Sequence, residues 1–338
     1  MTKTPDEFEA RCRRLLVELG LCAPGDDLGI TPLTGGVASD IGLVRTGSRS
    51  FCVKFALAQL KVAEVWRAPV HRNKAEYHWL MAAAQVVPAS VPKLYGRSDR
   101  EGGFAMEFLN GDQVCLWKAA LLQALPDRGE AARVGVILGR IHAASTAADF
   151  DTAPFRNRDD FHALRLEPYL LFTASRHPIV ADRLGFLAER LYKQDRVLVH
   201  GDVSPKNILF RDDTPVFLDA ECATMGDASF DVAFCLNHLI LKALHLPECR
   251  ERLLSNVLQF WNAYSDQVIW EDKAAIEGRI CDLLPMLMLA RVDGKSPVEY
   301  LNDARRELIR RISVPLIAAP KTRLADLIGS VKLEFEGN

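Results

Sequence analysis

The sequence predicts an α+β fold in which a small β-rich lobe precedes a larger helical one. Three observations carry this. The chain has 338 residues, more than one small core organises, so two lobes are the natural expectation. Residues 30–56, "ITPLTGGVASDIGLVRTGSRSFCVKFA", set Gly-Gly and Thr-Gly-Ser turn signals between short β-rich runs. From about residue 110 onward apolar residues recur at helical spacing instead.

Taken in order, residues 6–20 read as an amphipathic helix. Residues 30–56 then read as a three-stranded antiparallel meander, whose last strand alternates Phe51, Val53 and Phe55 with Cys52, Lys54 and Ala56. A helix follows at about 71–85, "HRNKAEYHWLMAAAQ", and "FAMEFLNG" at 104–111 reads as a strand running into a turn. "EFLNG" is the expected connection between the lobes. In "AARVGVILGRIHAAS" the residues Val134, Ile137, Leu138 and Ile141 share one helix face, as do Leu184, Leu187 and Leu191 in "ADRLGFLAERLYKQ". After "VLVHGDVSPKNILF" and "PVFLDAECA" the chain reads as helical to its end.

Composition narrows the function. The formal net charge of −2 gives no global basic field to attract nucleic acid. The most apolar segments, "DVAFCLNHLILKALHL" and "DLLPMLMLA", are too short or too interrupted to span a bilayer. The charged N-terminus lacks the apolar region of a secretory signal. Eight cysteines form no C-x-x-C and match no zinc spacing, so they read as reduced thiols of a cytoplasmic protein.

The chemistry concentrates in "VLVHGDVSPKNILF", residues 197–210. "VLV" and "ILF" are short buried strand pieces, and Gly201 and Pro205 turn the chain between them. His200, Asp202 and Asn207 therefore sit on a loop held by a scaffold. Downstream, "PVFLDAECATMGDASFDVAF" places Asp219 after another apolar strand. A carboxylate and an amide oxygen at adjacent strand ends are hard ligands suited to Mg²⁺ carried by a nucleotide. Asp202, one loop turn away, is placed to accept a proton from a hydroxyl.

These two motifs, H-G-D-x-x-x-x-N followed by an apolar-Asp-x-Glu segment, resemble those of the aminoglycoside phosphotransferase and choline kinase superfamily. Its fold is like that of protein kinases. The resemblance implies a small-molecule kinase that uses ATP and Mg²⁺, with a small-molecule hydroxyl acceptor and neither a nucleic-acid nor a membrane partner. It implies a nucleotide-binding lobe over residues 1–109 and a catalytic and substrate lobe over 110–338. Asp202 matches the aspartate that orients or deprotonates the acceptor hydroxyl. Asn207 and Asp219 match the metal ligands, Lys54 the lysine on the phosphates and Glu76 its helix partner. Gly35 and Gly36 match the loop over the phosphates, although "LTGGVASD" lacks a full G-x-G-x-x-G. Glu107 to Leu109 match the hinge whose backbone bonds adenine. His200 and Asp231 are expected to brace the catalytic loop.

Three features depart from relatives. Ser204 stands where protein kinases carry a lysine and many antibiotic kinases a histidine. No A-P-E segment separates Asp219 from Asp231, which with Ser204 argues against protein substrates. Lys206 either adds positive charge near the γ-phosphate or points to solvent. Two stretches are candidates for acceptor contact: the 61–72 insertion with Trp66, Arg67 and Arg72, and residues 289–300 with Arg291 and Lys295. Both give a weaker likeness to methylthioribose kinases, and both read equally well as a surface loop and a helix cap. Acids and bases are interleaved in the helical lobe, which favours a sugar-like or amino-alcohol acceptor over a polycationic antibiotic. Read alone, Lys54 fits a snorkelling strand lysine and Glu76 a solvated helix face. Glu221 reads as an indirect metal ligand or a turn cap, and His142 as a satisfied core histidine. A non-catalytic pseudokinase and a metallophosphoesterase are the competing classes. The first would lack one of Lys54, Asp202, Asn207 and Asp219; the second would show D-x-H and G-N-H, which are absent.

Overall fold

The computed structural model describes residues 5–33, 39–57 and 69–337. Helix α1 (Pro5–Glu18) leads into strands β1 (Gly29–Leu33), β2 (Ser39–Thr46) and β3 (Arg49–Ala56). Helix α2 (Arg72–Val86) and strands β4 (Leu94–Ser98) and β5 (Gly103–Glu107) complete the first lobe. The expected meander is present, but it forms part of a five-stranded antiparallel sheet ordered β1-β2-β3-β5-β4. Gly35, Gly36, Trp66 and Arg67 lie outside the described residues.

Strand β3 is buried on both faces, which explains why its polar positions are as apolar in setting as its hydrophobic ones. Phe8, Cys12, Leu15 and Leu16 lie along one stripe of α1 and cover Phe51, Val53 and Phe55. The opposite face of β3 carries Lys54 towards α2 and the second lobe. The register sets Lys54 between Ile41 of β2 and Phe104 of β5, in the middle of the sheet.

The second lobe begins with β6 (Val114–Leu116), α3 (Trp117–Leu122), α4 (Glu130–Ala144) and α5 (Arg158–Phe161). Residues His162–Leu171 then form a π-helical stretch, closed by Phe172 N–H donating to Glu167 O. Pro168 within it has no N–H to give. Helices α6 (Phe172–Arg176) and α7 (Ala181–Lys193) lead to strands β7 (Val197–Val199), β8 (Ile208–Arg211), β9 (Thr214–Phe217) and β10 (Thr224–Gly226). Helices α8 (Ala228–His245), α9 (Arg250–Ser265), α10 (Lys273–Asp293), α11 (Asp303–Ala318) and α12 (Leu324–Glu336) finish the chain.

Two short strands correct the sequence reading. β6 pairs with β8, and β10 pairs with β7, although both segments read as helix or loop. Three-residue strands are too short to show a period, and partners remote in sequence create them. Helix α8 is buried almost throughout and forms the axis of this lobe. Phe260, Trp261 and Tyr264 pack in the same core.

Candidate active site

Two short antiparallel pairs place the chemistry. β7 ends at Val199 and delivers the 200–204 loop, β8 starts directly after Asn207, and β9 ends just before Asp219. Strand ends held by paired neighbours fix where these loops begin and end.

The loop backbone is held from α8 and from within. Asp231, in the first turn of α8, accepts from His200 N–H at 2.6 Å and from Gly201 N–H at 2.8 Å. His142 Nε2 lies 3.3 Å from the same carboxylate, and its Nδ1 lies 2.8 Å from Tyr264 Oη. His200 Nδ1 accepts from Asp202 N–H at 3.2 Å, so the ring's Nε2–H donates to Leu218 O at 3.1 Å. Burial keeps that imidazole below its ordinary value, hence neutral, despite nearby acids that oppose the shift. Gly201 has φ +78°, and a Cβ there would meet Cys222 Cβ at 2.7 Å and Cys222 O at 2.8 Å, so glycine is required on both counts.

Asp202 is buried and doubly paired. Arg165 Nη2 lies 2.9 Å and Lys206 Nζ 3.0 Å from its Oδ2. Burial would raise its pKa, but Lys206 and Arg165 more than offset this and hold it below the usual carboxylate range. Lys206 thus brings its ammonium to Asp202 while its side chain stays 44% exposed. Ser204 Oγ is 3.4 Å from Asp202 Oδ1, a contact within the loop. Asn207 donates its amide N–H to Asp202 O at 3.0 Å, which leaves its amide oxygen as the atom for a cation.

On the facing side, Lys54 meets three carboxylates. Its Nζ is 2.7 Å from Glu76 Oε2, 3.1 Å from Glu221 Oε1, and in contact with Asp219 Oδ1. Asp219 N–H also donates to Glu76 Oε1 at 3.2 Å. Asp219 adopts φ +69°, a left-handed conformation uncommon outside glycine that marks the site as held under constraint. Burial pushes Glu76 up to about 8; Lys54 opposes this, and Asp219 and Glu221 add to it. Asp219 is held well below the usual carboxylate range: burial would raise it, but Lys54 and Lys206 outweigh burial.

The sequence leaves Glu221 open between an indirect metal ligand and a turn cap, and Arg72 open between an acceptor contact and a surface loop. Instead Arg72 Nε donates to Glu221 Oε2 at 2.7 Å with both groups buried, and Ser39 Oγ contacts the other Glu221 oxygen. Arg165 was missed altogether. A charged residue inside the apolar run "FHALRLEPYLL" was the available signal, since a buried guanidinium requires a partner.

The remaining expected residues are placed as follows. Glu107 spends its N–H on Lys93 O at 2.8 Å and its carboxylate on Arg211 at 2.8 Å, so of Glu107 to Leu109 the backbone donors are Phe108 and Leu109. Lys295 pairs with Glu167 at 2.8 Å. Arg291 Nη1 lies 3.0 Å from Ser296 Oγ and 3.2 Å from Tyr169 Oη.

Residues 29–263 match the phosphotransferase enzyme family. The chain belongs to that family. It is an ATP-dependent kinase of small molecules with an alcohol group as acceptor. Similar curated relatives include the methylthioribose kinase of Geobacillus thermodenitrificans (strain NG80-2), 24% identical over 82% of this chain and 78% of the relative. The methylthioribose kinase of Geobacillus sp. (strain WCH70) is 24% identical over 80% of this chain and 76% of its own. Among solved structures, amicoumacin kinase hAmiN in complex with AMP-PNP, Ca²⁺ and Ami superimposes with a TM-score of 0.58 at 15% identity, covering 96% of this chain and 100% of the other. A choline/ethanolamine kinase family protein from Mesorhizobium loti gives 0.55 at 16% identity, covering 97% and 99%. At these identities the structures show the two-lobed kinase-like fold.

Proposed function

We propose that Asp202 is the catalytic base of this kinase, that it acts on a hydroxyl of a sugar-like or amino-alcohol acceptor, and that ATP lies between Lys54 and the hinge. One observation carries the reading. Lys54 is paired with Asp219 at the end of β9, while Asp202, on the loop after β7, is buried and held by the two cations Arg165 and Lys206.

The residues present fit a hard divalent cation. Glu76, Asp219 and Glu221 offer oxygens within 4.8 Å of one another, and three carboxylates share Lys54. Mg²⁺ is usually bound through one or two carboxylates together with substrate phosphates and water, and such a set can supply the carboxylates. Asp219 and Asn207 would hold it, with Glu221 beside them. When bound, Mg²⁺ neutralises charge on the phosphates as they separate. Lys54 would contact the phosphates, and Glu76 would fix Lys54. The N–H groups of Phe108 and Leu109 would meet adenine. Asp202 orients the acceptor hydroxyl and takes its proton as the oxygen attacks in line. His200 and Asp231 keep that carboxylate in place. Ser204 lies close enough to Asp202 to touch the same hydroxyl.

No helix among the described residues is long and apolar enough to cross a membrane. Eight free cysteines and the demand for ATP support a cytoplasmic setting, with a small molecule rather than nucleic acid or membrane as partner. A coupled ADP-release screen with ATP and Mg²⁺, using methylthioribose, choline, ethanolamine, homoserine, aminoglycosides and common sugars, tests the assignment. Asp202→Ala should abolish turnover while nucleotide binding persists. Near-normal turnover in that variant would remove Asp202 as the base.

A further inference from the structure

Beyond Asp202 the second lobe carries a run of buried cations that the reaction as described does not use. Arg165, bonded to Asp202, lies with its guanidinium carbon 5.8 Å from the Tyr169 ring centroid and 5.7 Å from that of Phe234. Arg291 approaches the same Tyr169 ring at 5.8 Å. Phe234 in turn lies 5.5 Å from the His238 ring. One turn further along α8, Lys242 sits beneath Tyr300, with Nζ 5.3 Å from that ring centroid. A single connected wall therefore runs from the base through Tyr169 and Phe234 to Arg291, His238, Lys242 and Tyr300.

Arg291 Nη1 bonds Tyr169 Oη and Ser296, but several other polar atoms of the wall lack partners. His238, Arg291 and Lys242 are 5%, 8% and 1% exposed. His238 Nε2, Arg291 Nε and Tyr300 Oη are buried without a hydrogen-bond partner among the described residues. Among the same residues no carboxylate comes within ion-pair distance of Lys242 or Arg291. The acids nearby are committed: Glu299 pairs with Lys118, and Asp202 already serves both Arg165 and Lys206. Burial, together with Lys118 and Arg291, pushes Lys242 down to about 7. Leaving an ammonium and a guanidinium in protein without a counter-charge is costly, and an anion bonded to both relieves that cost. Guanidinium and ammonium donors are the usual means of holding a carboxylate or phosphate.

We propose that the acceptor carries an anionic group, a carboxylate or phosphate, in addition to its reacting hydroxyl, and that Lys242, Arg291, His238 and Tyr300 hold that group. The inference rests on the kinase reading for the identity of the reacting hydroxyl. The anion site itself stands on the orphaned donors. Lys295, paired with Glu167, takes no part.

The test uses the full chain with ATP analogue and Mg²⁺, and two matched sets: glycerol, glycerate and glycerol 3-phosphate; ribose, ribonate and ribose 5-phosphate. Thermal shift reads binding, with potassium chloride at equal ionic strength as control, and coupled ADP release reads turnover. The anionic members should raise the melting temperature while their neutral counterparts do not. Carboxylate and phosphate arms identify which anion fits. Lys242→Gln and Arg291→Gln should each weaken binding of the anionic compound about tenfold or more, leaving the KM for ATP unchanged. Binding of anions without turnover upholds the site; Asp202-dependent ADP release judges the kinase reading separately. Equal response to neutral and anionic members, no response to any anion, or anion binding that survives both substitutions, overturns the proposal.

Discussion

Arg165 and Asp202 form a buried ion pair of 2.9 Å that joins the π-helical stretch to the catalytic loop. The same guanidinium donates from Nε to Gly201 O, so one side chain holds both the carboxylate and the backbone just before it. π-Helical turns are uncommon and recur at functional sites. Here the turn supplies the residue that pairs with Asp202, the proposed base.

Replacing that residue should slow the reaction more than it weakens nucleotide binding. A hydrogen bond to a charged group contributes about 1.5–3 kcal/mol, so Arg165→Gln should lower kcat by about ten- to a hundredfold. Arg165 also helps to keep Asp202 ionised against burial, so its loss should raise the Asp202 pKa. The acid limb of the kcat/KM profile should then move to higher pH, and Arg165→Lys should restore part of it. An unmoved acid limb in Arg165→Gln would show that the ion pair does not set the charge of the base.

Sequence legibility followed distance along the chain. His200, Asp202, Asn207 and Asp219 lie in contiguous motifs whose turn residues and apolar flanks reveal the loops. Lys54 shows through its strand alternation. Arg165 lies 36 positions before Gly201, and Arg72 lies 149 positions before Glu221, so nothing local announces either contact. Buried charge is their only mark, and a sequence records charge without recording burial. The cationic wall was half visible for this reason: Arg291 was named as a candidate, while Lys242 and His238 were hidden inside the apolar run of α8.

Arg72 and Glu221 offer a second test, because their pairing ties the start of α2 to the segment after Asp219. Removing one member of a buried pair costs up to about 3–5 kcal/mol, and here less, because Glu221 keeps Lys54 and Ser39 as partners. Arg72→Gln should therefore lower the urea midpoint clearly. Arg72→Gln with Glu221→Gln should recover part of the loss, because both charges are then gone. Strictly additive effects in this double-mutant cycle would mean that the 2.7 Å pair contributes no coupling.

Gly201→Ala probes the loop backbone rather than its charges. The new Cβ would overlap Cys222, and the left-handed conformation adds strain, so destabilisation on the order of 1–3 kcal/mol is expected. Activity should fall by a larger factor than stability explains, because any shift that relieves the overlap displaces Asp202. A variant with full kcat would show that the 200–202 turn tolerates a side chain.

Glu76 gives a pH signature for the Lys54 cluster. Its folded pKa is pushed from 4.5 up to about 8, first by burial and then by Asp219 and Glu221 against the pull of Lys54. A carboxyl raised in this way binds a proton in the folded state that the unfolded state has released. Its contribution to stability is therefore full below 4.5 and is lost as the pH rises through about 8. Asp219 works in the opposite sense, but its contribution is lost only as the pH falls below the ordinary value of 3.8. In Glu76→Gln the ionisation is gone. The difference in melting temperature, wild type minus variant, should therefore decline steadily from pH 5 to pH 9 in buffer with chelator. Other buried groups, Lys242 and His238 among them, titrate alike in both proteins and cancel in that difference. Parallel melting curves across this range would mean that Glu76 is ionised throughout, and that Lys54 alone balances the three acids.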